Sequence, residues 1–419
     1  MGIKNLNLLL SSKCNCAINQ RNLSSYNGMI IGIDLSIFLY KYLYGNNDHI
    51  EGLTRLILRL LKNNIIPVFI FDGKPPKEKE DTILERKLKK EFMHMKKEIM
   101  ELVLGQRNET YENIKNNINE YISNHNQTFN MNDDQILELV NKNDNDIQDD
   151  IEKIKKKIIH VKSIHIKNAK HLFDLFGVSY IEAPCEAETL LAYMSKNNYI
   201  DGCITEDMDI LASGGRIFLK NFSAEKNFIE EYCLEGILEN LQLNQAQFID
   251  LCILCGCDYT QKIYGMGCLN AYKLIKKHNT IENVLEYIKN NAKYKVPDEF
   301  DFNGARNLFN IEIEQEFIQS NLVNIKIKKP NLNELLNFLN NTQLHHKYKK
   351  EIQQNLMNYY LNIDSIYKLD NINKIISNST SNTTSNTTSN TTSNTTINTK
   401  SNIMNKTKIT NYFSLSGNK

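Results

Sequence analysis

The 419-residue sequence has no tryptophan, almost no net charge and no long apolar run. The missing tryptophan accompanies many Asn, Ile, Lys and Tyr residues, the mark of an AT-rich genome rather than of a fold. No apolar stretch approaches the roughly eighteen residues that a membrane helix needs, so no membrane partner is expected. Residues 8–10 are the only apolar row before Ser11, too short for a secretory leader. Met1-Gly2 resembles the start of a myristoylation signal, but Leu6 stands where that signal needs Ser or Thr. Lys and Arg (50) nearly cancel Asp and Glu (49), leaving +1, so nucleic-acid binding would have to rest on local basic patches. No histidine cluster suggests zinc. Nine cysteines in a chain expected to be intracellular read as reduced thiols. Cys252, Cys255 and Cys257 are close enough for zinc, yet the first two lie in an apolar helical run, 248–257, and no second cluster completes a closed site.

What is present points to an α/β fold. Apolar residues make up 41% of the chain, enough for a sizeable core. Residues 29–34 and 66–72 read as buried strands that each end in an acid. Between them Leu53, Leu56, Ile57, Leu60 and Leu61 recur at helical spacing, which makes a strand–helix–strand unit and a mostly parallel sheet. Further strands are expected at 178–182 and 200–205, with a helix at 168–176. Over 77–101 fifteen of twenty-five residues are charged, eight basic and seven acidic, as in a solvated helix outside the core. An Asn/Asp-rich stretch follows and reads as an insertion, 105–160, partly disordered. Residues 234–290 read as helices broken at 256–258 and 265–267, and 332–361 as helical. From 377 to 402 the chain is a Thr/Ser/Asn repeat with no apolar residue but Ile397, which cannot build a core. The organisation expected is thus 1–104 and 161–365 for the body, 105–160 for the insertion, 366–403 for a disordered linker and 404–419 for a tail.

Acids at strand ends carry the chemistry. Ligands of open parallel sheets bind at the carboxyl ends of the strands. Asp34, Asp72, Asp207 and Asp209 all follow apolar runs, and Asp207 and Asp209, two apart, would face the same way in extended chain. Glu186 and Glu188 follow Pro184, as in the entry to a helix, and can share a site only if Glu186 lies in the irregular entry. Asp258 follows the apolar run 248–257. Singly, these acids have ordinary explanations: Asp34 could cap the next helix, and Glu186 could sit well in a first turn. Jointly they would repel and raise one another's pKa unless cations intervened, and hard divalent ions such as Mg²⁺ or Mn²⁺ suit oxygen ligands.

These residues sit in stretches that resemble the flap endonuclease branch of the five-prime structure-specific nuclease (XPG/RAD2) family: MGIKNL at 1–6, IGIDLSIFLY at 31–40, PVFIFDGKPPKEK at 67–79, YIEAPCEAE at 180–188, ITEDMDIL at 204–211, and FIDLCILCGCDY at 248–259 with GMG at 265–267. The resemblance implies a PIN-like (resolvase-like) nuclease domain with a central mostly parallel sheet, a helical arch and a C-terminal helix-turn-helix/helix-hairpin-helix region that binds DNA. It implies that Asp34, Asp72, Glu186, Glu188, Asp207, Asp209 and Asp258 hold two Mg²⁺ ions, for which Mn²⁺ can substitute. Lys79 and Arg86 match a catalytic basic pair at the foot of the arch; seven apart, they share a helix face. Tyr40 matches an aromatic on which a nucleobase stacks. Gly2 matches an amino-terminal segment near the site. Gly265, Gly267 and Lys273 match the turn and helix that grip a DNA duplex through backbone N–H groups. The activity implied is cleavage of 5′ flaps, with 5′→3′ exonuclease activity, in replication and repair.

The chain departs from the family pattern in four places. Cys268-Leu269-Asn270 replaces Pro-Lys-Arg, removing two phosphate-facing charges. Lys262 replaces a hydroxyl residue beside a K⁺ site. The segment 44–52 is short, which bears on 3′-flap recognition. The arch region is long. The tail reads KTKITNYF at 406–413, resembling the sliding-clamp box with Lys406 in the Gln position and Ile409, Tyr412 and Phe413 as its plug. The partners expected are flapped or branched DNA and a sliding clamp; the chain is expected to act as a monomer, in the nucleus if its source is a cellular eukaryote. A 5′→3′ exonuclease of the same superfamily and an inactive clamp-tethered scaffold are the competing readings.

Overall fold

The computed structural model describes residues 2–383 except 47, 126–129, 224–225, 323–324 and 343. Two units divide the chain, Met1–Tyr367 and Lys368–Lys419. The second carries the end of the last helix, His346–Thr383. The linker expected from 366 therefore begins inside a helix. Its remainder and the tail with Lys406, Ile409, Tyr412 and Phe413 lie outside the described residues.

Seven strands form the sheet of the first unit: β1 Ile18–Asn22, β2 Ile30–Asp34, β3 Ile66–Phe71, β4 Ser179–Glu182, β5 Gly202–Ile204, β6 Ile217–Lys220 and β7 Phe228–Cys233. Their order is β1-β7-β6-β5-β2-β3-β4. The five strands from β6 to β4 are parallel, and β7 and β1 add an antiparallel edge. β3 is buried throughout, as its uninterrupted apolar sequence requires in a sheet covered on both faces. Alternate side chains go to opposite faces. Val68, Ile70, Cys203 and Phe218 join one core, which includes the helices Ala187–Lys196 and Gln245–Cys255. Phe69, Phe71, Ile204 and Leu219 join the other, with the helices His49–Lys62 and Ser163–Phe176. There Phe69 stacks on Phe173 with ring centroids 4.2 Å apart.

The strand order matters for function. From β2 the chain steps to β3 and β4 on one side, and to β5 and β6 on the other. β2 is thus the switch point of the sheet, and connections diverging from its carboxyl end leave a crevice there.

The 105–160 segment, expected as a partly disordered insertion, is helical over most of its described residues: Tyr111–His125, Asp133–Asn141 and Asp144–Lys157. They pack on the far half of the long helix Glu80–Gly105 and build a third core from Ile99, Val103, Ile114, Ile118, Ile136, Ile147 and Ile151. Composition misleads here because isoleucines at 114, 118 and 122, and at 147, 151 and 154, keep helical spacing within an Asn- and Asp-rich background. Asn132 and Asn143 serve as N-caps rather than loop residues. β1, β6 and β7 escape the sequence reading because β1 is polar, β6 spans four residues and acids interrupt β7 at Glu230 and Glu231.

Ile118 is fully buried in this third core. Ile118→Ala should cost the helical unit about 2–5 kcal/mol. Amide exchange should then quicken across 95–157 while the amides of β2 and β3 keep their protection; exchange unchanged in 95–157 would contradict a separately cored unit.

Candidate active site

The carboxylates collect at the switch-point crevice because β2, β3 and β5 end there together. Asp34 is the last residue of β2, with 1% of its surface exposed. It accepts hydrogen bonds from the Ser36 N–H (3.0 Å) and the Thr205 hydroxyl (3.0 Å). It therefore caps the following helix, Leu35–Asn46, and belongs to the acid group as well. Asp72 follows β3 directly and accepts from the Ala187 N–H (2.9 Å), capping the helix Ala187–Lys196. Glu186 is the N-cap residue of that helix, with extended φ −71° and ψ 148°, and Glu188 lies in its first turn. The irregular entry of the helix lets both glutamates serve the same corner.

Asp207 and Asp209 are not in extended chain, contrary to expectation. β5 stops at Ile204, and Asp209 opens the short helix Asp209–Ala212. The Asp209 N–H donates to Asp207 Oδ1 (3.2 Å), so a turn rather than a strand brings the two acids together. Both are buried.

The acids fall into two overlapping groups. Burial pushes the Asp34 carboxyl up to about 7, with Asp72 and Asp207 adding to the shift. Burial raises Glu188 well above the usual range, with Asp34, Asp207 and Asp72 contributing. Asp209 is raised by burial, then by Asp207, Asp258 and Glu186. Asp34, Asp72, Glu188 and Asp207 thus form one group, and Glu186, Asp209 and Asp258 the other, with Asp207 and Asp209 as the link.

Magnitudes decide what this arrangement needs. Two like charges about 4 Å apart repel by about 4 kcal/mol at an effective dielectric constant near 20. A helix N-terminus returns about 0.3–1 kcal/mol, and a neutral hydrogen bond about 1 kcal/mol. The caps therefore cannot keep both groups ionised unaided. In the second group cations of the chain do part of this. The Lys79 ammonium binds Glu186 and lies 3.9 Å from Asp258 Oδ2, and Arg86 donates to Asp258 (2.6 Å). Burial alone would lower the Lys79 ammonium, but Glu186, Glu188 and Asp258 hold it above its ordinary value. Among the described residues the first group has no ion pair of its own, and only Glu188 lies within electrostatic reach of Lys79. Asp209 Oδ1 is buried without any hydrogen-bond donor.

The donor set is all oxygen, as hard divalent cations require. Among the described residues no group of three or more His, Cys, Asp or Glu side chains is already arranged to hold a metal ion. The acids fit such an ion by chemistry and by the charge that the chain leaves unpaired.

Gly2 presses on this corner. With φ 77°, it leaves no room for a side chain: a Cβ would lie 2.0 Å from Asp207 Oδ1 and 2.5 Å from Asp209 Oδ1.

A cavity of about 850 Å³ opens over the first group. Asp34, Asp72, Glu188 and Asp207 line its floor, and Tyr40, Tyr44, Lys90 and Lys156 belong to its walls. Tyr40 is about half exposed, with the Lys90 ammonium 5.6 Å from its ring centroid. Gly265 and Gly267 are elsewhere, ahead of the helix Cys268–His278, on which Lys273 is exposed. Gly265 has φ 79° and lies against the Lys293 carbonyl, whereas the space beside Gly267 is open.

Several contributors lay beyond sequence reasoning. Tyr259 donates to Glu186 (2.9 Å), Thr205 holds Asp34, and Thr82 donates to the Asp258 carbonyl (3.1 Å). Adjacency to named acids was the only signal for Thr205 and Tyr259. Tyr44, Lys90 and Lys156 reach the cavity through folding that the sequence does not announce.

Comparison with known proteins shows the family. The chain matches the family models for the XPG N-terminal domain over residues 1–92 and the XPG I-region over 177–258. Flap endonuclease 1 of Lodderomyces elongisporus is 30% identical over 360 residues, covering 81% of this chain and 82% of the relative. Flap endonuclease 1 of Danio rerio is 32% identical over 356 residues, with 81% and 82% covered. Among solved structures, the catalytic core of Rad2 in complex with DNA substrate has a TM-score of 0.55 at 23% identity, covering 85% of this chain and all of that one. Flap endonuclease-1 from Methanococcus jannaschii has a TM-score of 0.54 at 21% identity, with 82% and 96% covered. These two share the fold.

The raised Asp34 carboxyl sets a pH dependence. In metal-free protein its folded value of about 7 exceeds the ordinary 3.8. Its contribution to stability is full below the ordinary value and is lost as pH rises to about 7. Melting temperature in EDTA should fall between about pH 4 and about pH 7, and Asp34→Asn should flatten that slope. Identical profiles for the two proteins would remove the electrostatic reading of this corner.

Proposed function

The chain belongs to the flap endonuclease branch of the XPG/RAD2 family, and from that premise we propose that it cuts 5′ DNA flaps at the crevice where β2, β3 and β5 end. The observation that carries this reading is a carboxylate group, with Asp34 and Asp207 buried and no ion pair to its members among the described residues, beside an open cavity. Asp34, Asp72, Glu186, Glu188, Asp207, Asp209 and Asp258 would hold two Mg²⁺ ions, directly or through water, with Mn²⁺ as a substitute. Bound there, the ions supply charge neutralisation and Lewis acidity for hydrolysis of a phosphodiester.

The chain's own groups have separable tasks. Lys79 and Arg86 stand at the foot of the helix Glu80–Gly105, where they balance Glu186 and Asp258 until a phosphate arrives. They then donate to the phosphate oxygens as negative charge develops. Tyr259 keeps Glu186 oriented when Lys79 moves away. Tyr40 offers its exposed ring to a nucleobase near the cut. The open N–H groups about Gly267 and the Lys273 ammonium hold a duplex phosphate. Leu269, largely exposed, adds no charge there. The enzyme acts as a monomer in replication and repair, including Okazaki fragment processing, and a sliding clamp binds the box of Lys406, Ile409, Tyr412 and Phe413.

Purified protein with Mg²⁺ should cut a 5′-flap duplex, and Asp209→Asn should abolish cutting while flap binding persists. Lys79→Ala should lower kcat by roughly 10²–10³-fold with a smaller change in KM. A flap left uncut by the wild type would favour the DNA-binding scaffold, and faster degradation of gapped duplex than of flaps would favour the exonuclease. Removal of 404–419 should leave unassisted cutting unchanged and eliminate stimulation by a clamp; stimulation that survives would dismiss the tail as the clamp-binding element.

A further inference from the structure

Two thiols meet on the segment that joins the acid corner to the 265–267 turn. Cys255 is the last residue of the helix Gln245–Cys255, and Cys268 is the first of the helix Cys268–His278. Their sulfurs lie 2.6 Å apart, with the Cys255 S–H directed at Cys268. That separation is not far above the roughly 2.05 Å of a disulfide bond, so the two sulfurs are already in contact. The twelve residues between them carry Asp258, Tyr259, Lys262, Gly265 and Gly267.

The two cysteines have unequal chemistry. Cys268 starts an eleven-residue helix, where backbone N–H groups favour a thiolate. The Cys255 S–H and the Lys262 ammonium hold its thiol below the ordinary value. Burial instead raises Cys255 and Cys252 well above theirs, and pushes Cys257 up to about 12. Cys268, itself buried, is thus the thiol of the pair that ionises more readily, with Cys255 as its protonated partner in contact with it, and the two neighbouring thiols are held protonated.

We propose that Cys255 and Cys268 form an oxidisable dithiol whose disulfide ties the two helices across the 256–267 segment. In the first step the Cys268 sulfur attacks one oxygen of hydrogen peroxide, giving the sulfenic acid and releasing water. In the second the Cys255 sulfur attacks the Cys268 sulfur, the S–S bond forms, and the hydroxyl leaves with the Cys255 proton as a second water. Two thiols are oxidised and one peroxide is reduced to two waters. Because the sulfurs already touch, the bond fastens the segment with little change in its path. A thiol reductant restores the open form.

The test is peptide mapping of the full chain. Reduced protein is exposed to low hydrogen peroxide, alkylated in denaturant and digested. The result expected is a cross-linked peptide pair carrying Cys255 and Cys268, reversed by dithiothreitol, together with a higher melting temperature of the oxidised protein. Cys268→Ser should lose the cross-link and the melting gain, leaving Cys255 alkylatable. Cys255→Ser should arrest Cys268 as a sulfenic acid that dimedone traps. The proposal is overturned if both cysteines stay reduced at a peroxide level that oxidises the exposed Cys16, or if Cys268 links to Cys252 or Cys257 instead. None of these readouts depends on nuclease activity, so failure of the proposed function would not produce the same result.

Discussion

Repulsion among the buried Asp34 and Asp207, the half-buried Glu188 and the more exposed Asp72, gathered where β2, β3 and β5 end together, governs how the surrounding chain is built. Asp34, Asp72 and Asp207 are each anchored by a group that also shapes the backbone. Asp34 and Asp72 cap the two helices that begin at the crevice, and Thr205 bridges β5 to Asp34. These contacts fix where the carboxylates stand without cancelling their charge. The remainder is met by Lys79 and Arg86 on one side only. The imbalance between the two groups is the physical sign of a site built to receive positive charge from outside the chain.

Much of this was legible in the sequence, for reasons that differ by element. β2 and β3 are continuous apolar runs ended by an acid, and no other local structure suits that pattern in a covered parallel sheet. The seven acids were all identifiable, because each sits at the end of an apolar run or at a helix entry. What was not legible was pairing. Tyr259 reaches Glu186 across 73 residues and Thr205 reaches Asp34 across 171, and no periodicity records such distances. The Asp207–Asp209 relation was misjudged because the strand ends at Ile204, three residues before Asp207, and a turn replaces period-two geometry. The arch was misjudged for another reason. Its isoleucines are outnumbered by Asn, Asp and Lys, so average composition concealed a helical repeat that already specified a small core.

That small core changes how the long helix Glu80–Gly105 is held. Its far half is packed into the third cluster through Met95, Ile99, Met100 and Val103. Its near half touches the body chiefly through polar groups: Lys79 just ahead of it, then Thr82 and Arg86. The helix is therefore stiffened by a body of its own and fastened at the site by charge. Lys156, at the end of the last arch helix, returns to the same cavity.

The fastening at Asp258 has a further consequence. Arg86 and Lys79 each give a hydrogen bond to a carboxylate of the site. Under the proposed function a phosphate would compete with Asp258 and Glu186 for these groups. The arch foot would then be an exchange point at which anchorage of the helix and binding of a backbone phosphate draw on the same charges. Added salt should then loosen both at once, since one set of charges serves the two ends of the exchange.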